Sequence, residues 1–558
     1  MRINNQNPKV VFKQYNQHQL HLLPPSLEDL IPENHLVRIV NSSIDKLNIE
    51  PVINAYKGGG TSSYHPKMLL KVIVYAYTQR IYSSRRIAKS IRENIYFMWL
   101  SGNNCPDFRT INRFRSSRLK KTIDEVFSSL IILLIESGYV KLENYFCDGT
   151  KIEANANKYS FVWSKATKRY KERLEDQIKD LINHIDMINT EENKQYSEKD
   201  LEEMGEEAEI NEEKIISKIN QLNEKLDKIN EEIEEKQKSE KSKPDSTQEE
   251  KSELKELKSK GNQYRKISKK LNENYLIRYL KYKRYEKVLG KRNSFSKTDE
   301  DATFMRMKED HMLNGQLKPG YNLQIGTENQ FILGYSLHQK STDTGFLKPH
   351  IERFKELTKL KPKKIIADAG YGSLENYEYL AKEEIEAYVK YNYFDREQKK
   401  TKHNKKSEFK YDEEGDKFVC QAEKHLDYKY NKKRVTDNGY EYYLRIYEAS
   451  ECTGCKFKEK CCPSTKNKKI TNNFALNKHK EKVKEKLLSE EGIELRKQRC
   501  IDVETVFGQI KWNMGFKRFL LRGMKKVNVE IGLISLAHNL KKMFNLQNQT
   551  YIESYAIK

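Results

Sequence analysis

Lys364-Ile365-Ile366-Ala367-Asp368-Ala369-Gly370-Tyr371-Gly372 is a short apolar run that meets an aspartate and then two glycines. Such a run predicts a strand that stops at Asp368, with the glycines opening a turn. A second stretch, Tyr145-Phe146-Cys147-Asp148-Gly149-Thr150, repeats the plan. Two aspartates are thereby expected at the carboxyl ends of two separate strands, the edge where open sheets carry their ligands. Hard carboxylates on one edge suit Mg²⁺, which prefers oxygen donors. A third would complete a site able to neutralise both the attacking and the leaving oxygen of a phosphodiester.

Working outward, Tyr321 to Ile325 and Phe331 to Leu337 alternate as strands, joined by a turn at Glu328-Asn329-Gln330. Phe346, Leu347, His350, Ile351 and Phe354 suit a helix capped near Asp343. The third carboxylate is suggested by Asp502-Val503-Glu504-Thr505-Val506-Phe507-Gly508-Gln509-Ile510-Lys511. Val503, Phe507, Ile510 and Met514 form the buried stripe of a helix, and Glu504, Gly508 and Lys511 a neighbouring stripe. From there Lys511 could reach a phosphate held beside the acid.

The chain has 558 residues and a formal net charge of +23, which favours a polyanionic partner. Hydrophobic residues make up 37% and charged residues 33%, so some segment is expected to be long, polar and solvated. The first residues hold no apolar core of a signal peptide, and the longest apolar run, 130–135, is too short for a membrane span. Eight cysteines in such a chain read as thiols or metal ligands rather than a disulfide framework, and a cytoplasmic location follows.

Residues 1–140 predict an all-α domain. Met68 to Tyr77 is an apolar, breaker-free helix, and Ser83 or Ser84 caps a helix over Arg86 to Arg92. After a turn at Gly102, Asp107 caps a helix from Phe108 to Ser117, with Ile111 and Phe114 inward and Arg109, Asn112, Arg113 and Arg115 on open sides. A helix, a turn and an Arg-rich helix are compatible with DNA reading. Residues 165–290 change character. Leu174, Ile178, Leu181, Ile185 and Ile188, then Ile215, Ile219, Leu222, Leu226, Ile229 and Ile233, keep heptad spacing and predict a coiled-coil helical insertion. Residues 395–487 form a second, β-rich insertion that bears cysteines. Cys452-Thr453-Gly454-Cys455, with Cys461 or Cys462 and the upstream Cys420, suits a structural Zn²⁺.

Asp148-Gly149-Thr150-Lys151-Ile152-Glu153, Ala367-Asp368-Ala369-Gly370-Tyr371-Gly372 and Val503-Glu504 through Lys511, in that order, resemble the catalytic blocks of bacterial insertion-sequence DDE transposases, the group with a Y-x2-R-x3-E-x6-K signature. Phe516 to Gly523 and Leu536 to Lys541 resemble that group's C-terminal end, and Pro106 to Arg115 its N-terminal helical domain. The chain departs from the signature at two places. Cys500 stands at the arginine position, with Arg499 one residue earlier, and the tyrosine is missing. On a continuous α-helix Arg499 would point roughly 140° from Glu504.

The resemblance implies an α/β RNase H-like core divided over 141–164, 291–394 and 488–558. It implies Asp148, Asp368 and Glu504 as catalytic residues and as ligands of Mg²⁺ or Mn²⁺. The partner would be double-stranded DNA, both element ends and target, with Arg109, Arg113, Lys511, Arg518 and Arg522 as phosphate contacts. Two ends held together imply a homo-oligomer, nucleoid-associated and away from any membrane. The rival expectation is a catalytically inactive, transposase-derived DNA-binding regulator.

Overall fold

The computed structural model describes residues 26–56, 63–196, 210–242, 248–307, 315–398, 409–463 and 466–556. They divide into two compact units. One takes the described residues up to Val140, with Asn513–Gly515 and those from Ile531 on. The other takes Lys141–Trp512 and Phe516–Glu530. Residues 531–556 thus fall with the N-terminal helices.

The first unit is helical. Pro66–Thr78 starts with proline at its first position, where a missing N–H costs nothing, and His65 accepts the N–H of Lys67. From Leu69 to Thr78 all but Lys71 are buried, as an unbroken apolar run demands. Ser84–Glu93 and Ile95–Ser101 follow. Gly102, at φ 54°, ends the latter in the left-handed conformation that glycine adopts without strain. Asp107 then caps Phe108–Arg113 by accepting the N–H of Thr110 at 2.7 Å. Arg109 and Arg113 lie exposed on this helix.

Arg115 does not share that open side. A π turn over Phe114–Arg118 replaces the expected α turn and swings Arg115 inward, where it is 4% exposed. Its guanidinium donates to the carbonyl of Tyr82 at 2.7 Å and to the hydroxyls of Tyr77 and Ser84, both at 3.3 Å. A buried charge needs such partners, and nothing local in the sequence shows them.

The second unit is built on a mixed sheet. Its strands are β1 (Asn144–Glu153), β4 (Thr303–Arg306), β5 (Leu317–Glu328), β6 (Phe331–His338), β7 (Lys364–Ala367) and β8 (Glu386–Val389), and β2 (Phe161–Trp163) pairs with β3 (Ser294–Ser296) apart from it. The order is β4-β5-β1-β7-β8, with β6 also on β5. β1, β7 and β8 run parallel, and the pairs among β1, β4, β5 and β6 are antiparallel. Asn329 and Gln330, at φ 52° and 61°, join β5 to β6 in a two-residue turn of the kind that matches strand twist. The carboxylate of Glu328 accepts the N–H groups of Lys141, Leu142, Glu143 and Asn144, at 2.7 to 3.0 Å, and so fixes the entry to β1.

Residues 164–289 leave this core through β2 and return through β3. The helices are Ser164–Tyr196, Glu212–Ser242, Gln248–Lys270 and Ile277–Leu289, with a π turn at Leu271–Leu276. Leu174, Ile178, Ile185, Ile215, Ile219, Leu222 and Leu226 are buried in one cluster with Tyr264, Leu271 and Tyr275. Leu181 and Ile229 pack only partly against it, Ile182 is buried instead, and the side chain of Ile188 lies outside the described residues. Every member of the cluster comes from residues 174–282. Replacing 165–290 by a short Gly/Ser linker is therefore expected to leave the remaining chain with a cooperative thermal transition. Calorimetry checks this, and loss of the transition would make these helices part of the core.

Residues 409–472 form a second sheet, with β9 (Lys410–Asp412), β10 (Lys417–Val419), β11 (His425–Val435), β12 (Glu441–Ala449) and β13 (Lys469–Asn472). All its pairs are antiparallel, in the order β13-β12-β11-β10-β9. Phe418, Leu426, Tyr447, Ala449 and Ile470 make its core.

Candidate active site

β7 ends at Ala367, opposite Cys147, whereas β5 stays paired with β1 as far as Glu153. Asp148 therefore stands within β1, not at its end as the sequence predicted. It marks the register at which parallel pairing stops, so one flank of β1 is open there. Gly149 is no turn residue. It faces Gln324 across the ladder, and a Cβ on it would run into the Gln324 amide and come within 2.8 Å of Asp343 Oδ1. Close packing, not backbone freedom, requires glycine here. Asp368 does follow its strand directly, and its Oδ1 accepts the N–H of Gly370 at 2.9 Å.

Glu504 reaches this edge from the segment after helix Glu490–Arg499. That segment is not the even helix that the stripe suggested. It runs as a π turn (Cys500–Glu504), one α turn (Thr505–Gly508) and a second π turn (Gln509–Asn513). Val503, Phe507 and Ile510 are buried, as their spacing predicts. The first π turn changes the position of Arg499. A π turn takes one more residue than an α turn, so residues five apart come onto one face. Arg499 Nη2 lies 3.1 Å from Glu504 Oε1, and Nη1 lies 3.2 Å from Asp148 Oδ2. The 140° separation of an even helix is removed, and so is the extra residue between arginine and acid.

Arg499 is largely buried, with its side chain 13% exposed. Burial alone would pull its pKa down, but Asp148, Asp368 and Glu504, together with Cys500, outweigh this and hold it above the usual arginine value. One guanidinium thus bonds to two of the predicted carboxylates, Asp148 and Glu504, and is held charged in part by the third, Asp368. Asp148 is 7% exposed, whereas Glu504 is open to solvent.

The same end of the sheet holds groups that the sequence did not single out. Asp343, expected as a helix cap, instead accepts Asn322 Nδ2 at 2.7 Å and Gln324 Nε2 at 2.9 Å. Tyr371 donates its hydroxyl to Gln324 Oε1. Burial raises the Tyr371 phenol well above its ordinary pKa, and the charges of Cys147, Asp148, Asp343 and Asp368 add to this. Asp343 thus belongs to the acidic cluster. The only signal for it was position, between the second strand pair and Asp368.

Lys511 does not lie open beside Glu504. It is 5% exposed, and its ammonium donates to Thr150 Oγ1 at 2.7 Å, two residues from Asp148. Arg518 donates to the carbonyls of Ala154 and Ala156 at 3.2 and 3.3 Å, and Arg522 to that of Asn155 at 2.7 Å. Both hold the chain that follows β1. The predicted phosphate contacts Lys511, Arg518 and Arg522 are thus each engaged within the protein.

Among the described residues no three His, Cys, Asp or Glu side chains stand close enough, as placed, to hold a metal ion. The donor chemistry nevertheless fits a divalent cation. Asp148 and Glu504 offer hard oxygens to one cationic group, Arg499, and the charge of Asp368 acts on it too. Among the described residues no helix is long and apolar enough to cross a membrane.

One unit thus carries an acidic cluster at the open flank of a mixed sheet, and the other an exposed Arg-rich helix. Residues 25–117 match a family model described as "Transposase domain (DUF772)", and residues 419–544 match one described as "Transposase DDE domain". The two matches support placing the chain among insertion-sequence DDE transposases, enzymes that bind DNA and generally use divalent metals. The DDE match takes in Glu504, Lys511 and the cysteines from Cys420 to Cys462, and the other takes in Arg109 and Arg113; Asp148 and Asp368 lie outside both. No curated protein and no solved structure matches the chain.

Proposed function

We propose that the chain cuts the ends of an insertion sequence and joins them to target DNA, with Asp148, Asp368 and Glu504 as its catalytic carboxylates. The observation that carries this is the single guanidinium of Arg499, which joins Asp148 to Glu504 at the edge where Asp368 follows β7. The strand order β6-β5-β1-β7-β8, antiparallel on one side of β1 and parallel on the other, supports an RNase H-like core. The residues at the open flank of β1 are then those of the catalytic edge.

The three acids would hold Mg²⁺ or Mn²⁺, which when bound supplies positive charge to the attacking and leaving oxygens of a phosphodiester. The protein's own residues set the stage for that. Asp148 is fixed in the sheet, with its Oδ1 accepting the N–H of Gly149 at 2.7 Å. Arg499 aims two acids from opposite elements at one point and balances their charge. Lys511, through Thr150, ties the Glu504 segment to β1. In the helical unit, Arg109 and Arg113 are exposed on a capped helix, which supports their reading as contacts to DNA phosphates. The helices of 164–289 offer a surface for pairing two copies, since two element ends must be held together.

Purified protein incubated in Mg²⁺ with DNA carrying the sequences that flank the gene tests this. Nicks at the element boundaries are expected. Salt-sensitive binding without any nick, on DNA that holds inverted repeats, would leave a DNA-binding protein and no nuclease.

A further inference from the structure

The function above makes no use of the cysteines of the β9–β13 module, yet the fold gathers them. Cys420 begins the turn from β10 to β11, where its N–H bonds to Lys424 O at 3.0 Å. Cys452 and Cys455 flank a turn after β12, and Gly454 there has φ +68°, so this CxxC wraps tightly through a residue that must be glycine-like. Cys461 closes the short helix Lys458–Cys461. These three segments meet around one largely apolar cavity of about 40 Å³, lined by all four thiols, by Cys462 and by Phe409 and Phe457. All are free thiols.

We propose that this cavity is a structural zinc site with Cys420, Cys452, Cys455 and Cys461 as its ligands. Two details single out these four. Cys452 Sγ already accepts the backbone N–H of Lys468 at 3.4 Å, a bond that suits a thiolate and orients it as outer-shell donors orient metal ligands. Cys462 instead turns its Sγ to the carbonyl of Lys466 at 3.7 Å, which makes it the spare. Four thiolates around Zn²⁺ leave a net charge of −2. The ammonium of Lys468, which lies beside Cys461 and donates to its carbonyl at 3.0 Å, partly offsets this. Each thiol gives its proton to solvent as its sulfur binds. Among the described residues no three of these groups stand, as placed, within reach of one ion, so binding would draw the sulfurs inward, as metal binding coupled to folding does. The small β-sheet packs few large apolar side chains, so a metal crosslink is physically useful to it.

The full-length protein, purified without chelator, is expected to carry one zinc per chain by elemental analysis. After exchange with Co²⁺ it should show the intense visible bands of tetrahedral thiolate coordination. Cys452→Ser, Cys455→Ser, Cys461→Ser and Cys420→Ser should each lose those bands, and Cys462→Ser should keep them. Folded protein that holds no zinc and gives no cobalt bands would overturn the site, and this arm needs no variant to fold. Loss in Cys462→Ser with retention in Cys461→Ser would overturn the ligand set. Neither result bears on the carboxylates, so the site and the proposed nuclease stand or fall separately.

Discussion

Asp148→Asn, Asp368→Asn and Glu504→Gln are each expected to lower strand cleavage by roughly 10³-fold or more, about 4 kcal/mol of barrier, while affinity for end DNA stays nearly constant. The substitutions keep shape and remove the charge that would hold a cation. The binding surface is proposed to lie elsewhere, on the helix Phe108–Arg113, so binding should survive. Gel assays of nicking and of binding on the same DNA measure both. Any one of the three that cleaves like the native protein in Mg²⁺ takes that acid out of the site.

Arg499 gives the same experiment a second readout. In the native protein its guanidinium bonds to Asp148 and Glu504 and is held charged by all three acids. Arg499→Ala leaves carboxylates of one sign together without that cation, which is unfavourable. An ion that binds only the folded state stabilises it by mass action. Mg²⁺ should therefore raise the thermal midpoint of Arg499→Ala more than that of the native chain. It should raise it less in Asp148→Asn.

The sequence made some of this legible because the signals were local. An aspartate after a short apolar strand put Asp368 where the structure has it, and Asp107 before Phe108 was a helix cap by residue type alone. The β5–β6 turn was readable from Asn329-Gln330 in the same way. What stayed hidden depends on tertiary partners. Whether Cys500–Glu504 winds as α or π is a matter of one backbone bond per turn, decided by what Arg499 and Asp502 meet. Asp502 is fully buried, and its Oδ1 accepts from Thr327 Oγ1 of β5 at 2.6 Å and from Gln330 N in the β5–β6 turn at 2.9 Å. Periodicity carries no trace of such bonds. Asp343 was misread for a related reason, since its partners Asn322 and Gln324 look like ordinary polar strand residues. Lys511 kept its signature spacing yet bonds to Thr150, a partner visible only once β1 is in place.

The largest effect on stability is expected far less conspicuously, from a methyl group at Gly326. This residue lies in β5, opposite Cys147 of β1 and Gly334 of β6. The ring of Tyr145, fully buried, lies in the pit that the two glycines leave. A Cβ at Gly326 would fall inside the Tyr145 ring, and one at Gly334 would come within 2.5 Å of its hydroxyl. The ring has little room to retreat. Its hydroxyl shares a 2.9 Å hydrogen bond with His350 Nε2, and His350 Nδ1 meets Ser336 Oγ at 2.8 Å. Burial pushes the His350 pKa down to about 3, with His338 and Arg353 adding to it, so the imidazole stays neutral at physiological pH and this chain of bonds stays intact. Phe354 packs the other side, 5.3 Å from the ring between centroids. Overpacking a core costs about 1–3 kcal/mol when side chains can shift, and here the alternative is to part β5 from β1. Gly326→Ala should therefore cost on the order of 3 kcal/mol or more, seen as a lower thermal midpoint of the second unit. Because β1 carries Asp148 three residues beyond Tyr145, strand cleavage should fall at temperatures where the native chain is still active. Adding Tyr145→Leu to Gly326→Ala should restore part of the loss, since a smaller side chain empties the pit and contacting residues couple. A Gly326→Ala protein that melts like the native chain would mean that Tyr145 does not fill the glycine pit, and that the register of β1 on β5 is set by something else.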